Sequence, residues 1–201
     1  MPVASFRQII SIRPRLSIII RAAILSQLKM STITDTFLRR DSEFIRYRSS
    51  MIGDIAKLCA KEWLERQGFE VTDWDDVRMN WRSSRKKFDL EVNKCKIEIA
   101  SSIEVLDDLA RNAALTQILQ NKSIIQPVRK TEKDVVLQIY FVSDADPDVY
   151  LMGWCRWEDM PPYKTIRYIA GHPRDFWLIP FSSPEAHPPI DLVAFLGAYS
   201  T

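Results

Sequence analysis

Two acidic residues, Asp89 and Glu98, lie in the stretch KFDLEVNKCKIEIASS (87–102), where apolar and polar side chains alternate. A period of two is typical of β-strands, and Asn93 and Lys94 between the two alternating runs predict a tight hairpin turn. Such a hairpin brings Asp89 within reach of Glu98. Two carboxylates held close together repel each other, and a divalent cation makes that arrangement favourable; oxygen ligands select Mg²⁺ or Mn²⁺ over zinc. Salt-bridge partners or a solvated sheet face explain the same acids without a metal.

Glu62 is a third candidate acid. The segment 49–67 begins with serines suited to helix capping and carries apolar residues at helical spacing, so it predicts a helix. At about 100° per residue, Glu62 falls close to Ile55 and Cys59, inside the apolar stripe. A carboxylate is costly there unless it is paired or bound to metal. A salt bridge to Arg66 and membership of an acidic cluster both account for it.

The remaining patterns predict a single α/β domain over residues 49–201, with a central mixed β-sheet flanked by helices. Strands are predicted at 69–74, 88–92, 96–103, 135–143, 149–157 and 176–181, and helices at 49–67, 106–120 and about 190–196. The run 135–143 is apolar on both faces, which is typical of a buried central strand.

Residues 1–48 are treated as an N-terminal extension that is partly helical. The run 16–28 is too short for a membrane span and contains Arg21, so we expect no membrane segment. An acid-free, Arg- and Ser-containing N-terminus is typical of an organellar transit peptide. Alternatively, the protein starts at Met30 and the preceding residues lie upstream of the true start, which is the interpretation we favour.

The charge distribution limits how the protein could bind nucleic acid, and the cysteine content indicates its redox compartment. The five basic residues before Asp35 account for the net positive charge of the chain, since the formal charge of +2 becomes 2 − 5 = −3 without them. Any nucleic-acid binding must therefore depend on local patches. The cysteines are three in number, widely spaced and without a CxxC motif, which suits apolar core residues in a reducing cytoplasm; they are Cys59, Cys95 and Cys155.

From about residue 50 to 157, the sequence resembles the PD-(D/E)XK nuclease superfamily, the fold of many restriction enzymes, junction resolvases and some homing endonucleases. The resemblance rests on a helix bearing Glu62, on Asp89 at the second strand, on Glu98 at the third, and on a helix and two strands that follow. The stretch DVYLMGW (148–154) is similar to a later strand of that family. The resemblance implies a restriction-endonuclease-like fold in which Asp89 and Glu98 ligate Mg²⁺ or Mn²⁺ and Glu62 assists.

One position departs from the family pattern. Where the resemblance implies a catalytic lysine, two residues after Glu98, this chain has Ala100. A methyl group can neither orient water nor stabilise charge on a phosphate. Three explanations are open: Lys96 on the same strand face, or Lys94 in the turn, supplies the ammonium; the natural protein lost cleavage and kept binding; or alanine replaces lysine in a variant designed to trap an uncut complex.

The expected function is that of a magnesium-dependent DNA endonuclease, inactivated if Ala100 has no substitute. The alternative is an inactive DNA-binding or assembly protein with a nuclease-like fold. A basic cluster precedes Asp89 and could lead a phosphate backbone to it, and Gln117 on the following helix is a further candidate DNA contact. The cluster consists of Arg82, Arg85, Lys86 and Lys87. Because one such site cuts one strand, we expect a homodimer or higher oligomer.

Overall fold

A computed structural model of the chain describes residues 2–3, 5–30, 42–77, 88–106, 108–128, 133–143, 146–169 and 172–199. Within these ranges the protein is an α/β fold in which a mixed six-stranded sheet is flanked by helices, as the sequence predicts. Among the described residues, no helix is both long and apolar enough to cross a membrane.

The helices in these ranges are α1 (Leu16–Met30), α2 (Glu43–Arg66), α3 (Trp74–Val77), α4 (Arg111–Asn121) and α5 (Pro189–Ala198). The strands are β1 (Ile10–Ile12), β2 (Thr72–Asp73), β3 (Leu90–Val92), β4 (Cys95–Ile103), β5 (Ser123–Pro127), β6 (Val135–Phe141), β7 (Val149–Arg156), β8 (Lys164–Ile169) and β9 (His172–Pro180). The larger sheet has the order β1-β7-β6-β4-β3-β2, and only β4 and β6 pair in parallel within it. The smaller sheet, β5-β9-β8, is antiparallel.

The larger sheet is covered on both faces. On its first face, α1, α2 and α5 pack against side chains such as Ile97 of β4 and Leu137 of β6. On its second face, α4 and the smaller sheet pack against the alternate side chains, such as Ala100 and Val136. Because successive side chains of a strand point to opposite faces, Glu98 is directed towards the second face, away from α2.

The hairpin between β3 and β4 confirms the predicted turn. Asn93 and Lys94 have φ angles of 50° and 67°, the left-handed conformation that a two-residue type I′ turn requires at both positions. Asn93 also donates a hydrogen bond from Nδ2 to the carbonyl oxygen of Leu196 (3.1 Å). The turn pairs Val92 with Cys95 and thereby sets the register of the two strands.

The strand predicted at 69–74 is much shorter than expected, because only Thr72 and Asp73 pair with β3. The Oδ1 atom of Asp73 accepts a hydrogen bond from the backbone N–H of Asp75 (2.9 Å). Side-chain oxygens of aspartate commonly begin a helical turn in this way. The chain therefore leaves the sheet and forms α3.

The helix predicted at 106–120 begins five residues later than expected. The backbone N–H groups of Glu104 and Leu106 donate to the carbonyl oxygens of Phe141 (2.8 Å) and Val142 (3.0 Å). These bonds keep the chain extended beside the end of β6. The helix therefore begins only at Arg111, although the helical pattern of the sequence starts earlier. Strands β5 and β8, which the sequence analysis does not predict, build the smaller sheet with β9.

Residues from the N-terminal extension form part of the fold, whereas the sequence analysis treats them separately. Strand β1 pairs with β7 at the edge of the larger sheet. A Cβ atom on Gly153 of β7 would lie 3.0 Å from Cγ2 of Val3 and 3.1 Å from the carbonyl oxygen of His187, so glycine permits this close packing. The extension also supplies core residues to the first face: Ile12, Ile18, Ala22 and Leu25.

A network of buried charges joins α1 and α2 to the β2–α3 segment. The Nζ atom of Lys57 lies 2.7 Å from Oδ1 of Asp73 and 2.5 Å from Oδ2 of Asp75. Lys29 of α1 also binds Asp75 (2.8 Å) and contacts Asp54. Because Lys57 and Asp73 are at most 2% exposed, and buried charges are costly unless paired, the network fixes these elements against one another.

We expect acid to weaken this network through Asp75. Burial by itself would raise the pKa of Asp75, but the ammonium groups of Lys57 and Lys29 outweigh it and lower the pKa to about 2. In the unfolded chain the pKa is about 3.9, so the stabilisation is present above about pH 4 and is lost as the pH falls towards 2. Urea unfolding of the native chain and of Asp75→Asn across this range tests the assignment: the variant should be less stable at pH 5 and should lose less stability on acidification. Equal pH slopes in the two proteins would contradict it.

A chain that starts at Met30 should be far less stable than the full chain. It lacks β1 and nearly all of α1, so it exposes the first-face core and leaves Asp54 without Lys29. Circular dichroism melting and expression yield measure the effect, and a chain that starts at Val3 after an initiator methionine is the control. An equal melting midpoint for the Met30 form would show that the extension is dispensable for folding.

Candidate active site

The β3–β4 hairpin places Asp89 beside Glu98. The register pairs Leu90 with Ile97, and continuing it by one residue puts Asp89 opposite Glu98. The Oδ2 atom of Asp89 accepts a hydrogen bond from the backbone N–H of Ile99 (2.9 Å), so this carboxylate is held against β4. Asp89 is 9% exposed and Glu98 is 7% exposed, and both acids are therefore largely removed from water.

Lys133 completes this cluster, and the sequence analysis missed it. Its Nζ atom lies 2.7 Å from Oε2 of Glu98, and both side chains are less than 10% exposed. The contact is a close ion pair rather than an aligned hydrogen bond. The only sequence signal is a lysine two residues before an apolar strand, and that signal becomes meaningful only once β6 is known to pair with β4.

Asp134 fixes the position of Lys133. Its backbone N–H donates to the carbonyl oxygen of Lys96 (3.0 Å), and its Oδ2 atom accepts from the backbone N–H of Lys96 (2.7 Å). These two bonds hold the chain just before β6 against β4, two residues from Glu98. The parallel pairing of Glu98 with Val136 continues the same arrangement into the sheet.

The donor set suits a cation that is only partly coordinated by protein. Two carboxylates and one ammonium give this cluster a formal charge of 1 − 2 = −1. Mg²⁺ is commonly bound through one or two carboxylates, with waters and substrate phosphates completing its shell, and Asp89 and Glu98 match that number of carboxylates. Within the described residues, no group of three or more His, Cys, Asp or Glu side chains could hold a metal ion by itself.

The structure does not bring Glu62 together with these acids. It lies on α2, which packs on the first face of the sheet, whereas Glu98 is directed towards the second. The Nε atom of Arg15 donates to Oε1 of Glu62 (3.0 Å), and Arg66 also contacts this carboxylate. Hydrogen bonding from Arg15 holds the pKa of Glu62 below its ordinary value, against the opposing effect of burial. The salt bridge to Arg66, one of the two explanations given by the sequence, is present.

Ala100 and Lys96 lie near Glu98 on β4, in different surroundings. Ala100 is 9% exposed and packs in the second-face core opposite Gln138, which is fully buried. A lysine at position 100 would have to fit into this packed region. Lys96 is half-buried, and its ammonium makes no ion pair with another described residue.

Gln117, one of the predicted DNA-contacting residues, is not joined to this cluster. Gln117 lies on the exposed side of α4, in an open cleft of about 540 Å³ that it shares with Phe6, Asn112 and Gln120. No residue of β3 or β4 lines that cleft. The basic cluster Arg82, Arg85, Lys86 and Lys87 lies outside the described residues.

Comparison with known proteins gives no relative: no protein-family model, curated protein or solved structure matches this chain.

A double-mutant cycle tests the ion pair between Lys133 and Glu98. Lys133→Met should lower the free energy of unfolding by about 3–5 kcal/mol, because it leaves a buried carboxylate without its ammonium partner. Adding Glu98→Gln should recover much of that loss, because both charges are then gone. Urea denaturation of the native chain, both single variants and the double variant gives the coupling energy. Additive effects would contradict the contact.

Proposed function

We propose that this protein is a magnesium-dependent DNA endonuclease in which Lys133 takes the role of the lysine expected at position 100. The observation that carries the proposal is the cluster of Asp89, Glu98 and Lys133, with the ammonium 2.7 Å from the Glu98 carboxylate. A nuclease of this kind requires two carboxylates and one ammonium near the scissile phosphate. The cluster offers these groups, with the lysine contributed by the segment just before a different strand.

The connectivity of the fold supports the same proposal. A long helix is followed by three strands that pair as β2-β3-β4, then by α4, then by β6, which runs parallel to β4. This order agrees with the helix and strand order implied by the resemblance to PD-(D/E)XK nucleases, with β5 inserted before β6. We therefore propose a restriction-endonuclease-like core, to which β1, α1 and the smaller sheet are added.

Each group has a separate task in the proposed reaction. Asp89 and Glu98 would hold Mg²⁺, which acts as a Lewis acid on the phosphate. Lys133 would keep the Glu98 carboxylate in position and stabilise negative charge on the phosphate oxygens as the bond to water forms. Asp134 acts through the backbone by holding Lys133 beside Glu98.

The burial of the cluster favours a second candidate, a nuclease-like protein that binds DNA or assembles without cutting it. Asp89, Glu98 and Lys133 are each at most 9% exposed. A buried ion pair with this geometry also suits a purely structural role, in which one strand is fixed against its neighbour. The two candidates differ in one measurable property, which is the response to magnesium.

Plasmid nicking distinguishes the candidates. With Mg²⁺, the native chain should nick supercoiled plasmid, and Lys133→Met should lower the rate by about 10²-fold or more, in the range of a lost charge-stabilising group. Lys96→Met is the matched control. Lys96 lies on β4, two residues from Glu98, and has no ion pair with a described residue. Loss of nicking in Lys96→Met, with Lys133→Met unaffected, would assign the role to Lys96.

A second variant tests whether a lysine at position 100 can replace Lys133. Ala100→Lys in the Lys133→Met background should regain nicking, because it restores one ammonium beside Glu98.

Melting curves with and without Mg²⁺ provide a readout besides activity. Mg²⁺ should raise the melting midpoint of the native chain and leave that of Asp89→Asn unchanged. No nicking and no Mg²⁺ effect in any of these proteins would favour the non-catalytic candidate.

A further inference from the structure

Helix α1 carries large apolar residues on its outer side as well as on its inner side. Ile18, Ala22 and Leu25 are buried against the rest of the protein. Four large aliphatic residues at intervals of four form an outer stripe, and their exposed fractions are high: Leu16 71%, Ile20 51%, Ile24 57% and Leu28 46%. Residues spaced by four lie on one face of a helix, so these side chains form a single continuous surface.

A stripe of this kind needs a cover. A surface helix normally carries charged and polar residues on its outer face, and a helix that is apolar all round is normally buried. Single exposed aliphatic residues are common and need no explanation; Ile190 on α5, also 51% exposed, is an example. Four in a row on one helix are a different case, because extended apolar patches mark contact sites.

The charges around the stripe limit what can cover it. Arg21, at its margin, pairs with Asp76, and Lys29 at the end of the helix pairs with Asp54 and Asp75. Arg15, just before the helix, pairs with Glu62. Since these cations are neutralised by the protein's own carboxylates, they are poorly placed to attract the anionic headgroups that hold a basic amphipathic helix on a membrane.

We propose that the stripe is covered by the same stripe of a second copy of this chain. In a two-fold contact, if residue i of one copy meets residue j of the other, then j also meets i, so an uncharged aliphatic face can pair with itself without like-charge repulsion. With the axis at the middle of the stripe, Ile20 of one copy packs against Ile24 of the other. The inference does not depend on the proposed catalysis.

The size of the stripe sets the expected strength. From Leu16 to Leu28 it is about 18 Å long, and a helix with side chains is about 10 Å wide. Such a contact buries less than the roughly 800 Å² per partner of a standard interface. We therefore expect a dimer with a dissociation constant on the order of micromolar, populated at high protein concentration rather than at all concentrations.

Sedimentation velocity of the full chain from about 1 to 200 µM tests the proposal. The native chain should shift from monomer to dimer over this range, and Ile20→Glu and Ile24→Glu should each weaken the dimer at least tenfold. Ile190→Glu is the matched control, since it places the same change on an equally exposed isoleucine of another helix, and it should leave the dimer intact. Circular dichroism melting verifies that each variant is folded. If a glutamate variant does not fold, Ile24→Gln is measured in its place.

A charge-pair variant tests the two-fold geometry. Ile20→Lys combined with Ile24→Glu in one chain should recover part of the dimerisation that each change alone weakens, because each lysine then faces a glutamate of the other copy. A native chain that stays monomeric at every concentration would overturn the proposal. A dimer that is insensitive to Ile20→Glu and Ile24→Glu, or a monomer that binds phosphatidylserine vesicles through this stripe, would overturn it equally.

Discussion

Strand β4 is the element on which the rest of the structure depends. It pairs with β3 through a two-residue turn on one side and with β6 in parallel on the other. Parallel strands need a long crossover connection, and α4 and β5 supply it here. Since both faces of β4 are covered, its buried carboxylate Glu98 must find a partner inside the protein. The segment just before β6 provides that partner in Lys133, so the same pairing that builds the sheet also assembles the candidate site.

Two networks of buried charge among the described residues join elements that are distant in sequence. Lys57 holds the β2–α3 segment against α2, whereas Lys133 joins the start of β6 to β4. Desolvating a charge is costly unless it is paired, which explains both arrangements in structural terms. The second cluster contains the carboxylate of Asp89 as well, fixed beside Glu98 by the backbone of Ile99. Under the proposed function, this pair of carboxylates would hold the cation.

The N-terminal residues, which the sequence patterns separate from the domain, pack against it in the structure. The sequence indicates an amphipathic, acid-free segment before Met30, and it suggests removal or an upstream position. In the structure the same residues form an edge strand and a helix of the domain. Two of the acids that pair with their basic side chains, Glu62 and Asp54, lie on α2. The composition of the segment by itself indicates an unbalanced positive charge. It does not show that acids from other parts of the chain lie beside these basic residues in the fold.

Local patterns determined most of the fold and part of the candidate site. Alternation and the Asn93-Lys94 turn predicted the β3–β4 hairpin, and with it the pairing of Asp89 with Glu98, because hairpin register depends on residues that are adjacent in sequence. The sequence could not predict Lys133, which lies 35 residues after Glu98 in the chain and reaches it only through the parallel pairing of β6. Nor could it separate Glu62 from the cluster, since helical periodicity shows which face of a helix is apolar but not which face of the sheet the helix covers. The sequence therefore determined the strands and their acids, and the tertiary structure decided which charges meet, because non-local pairing is set by the packing of whole elements.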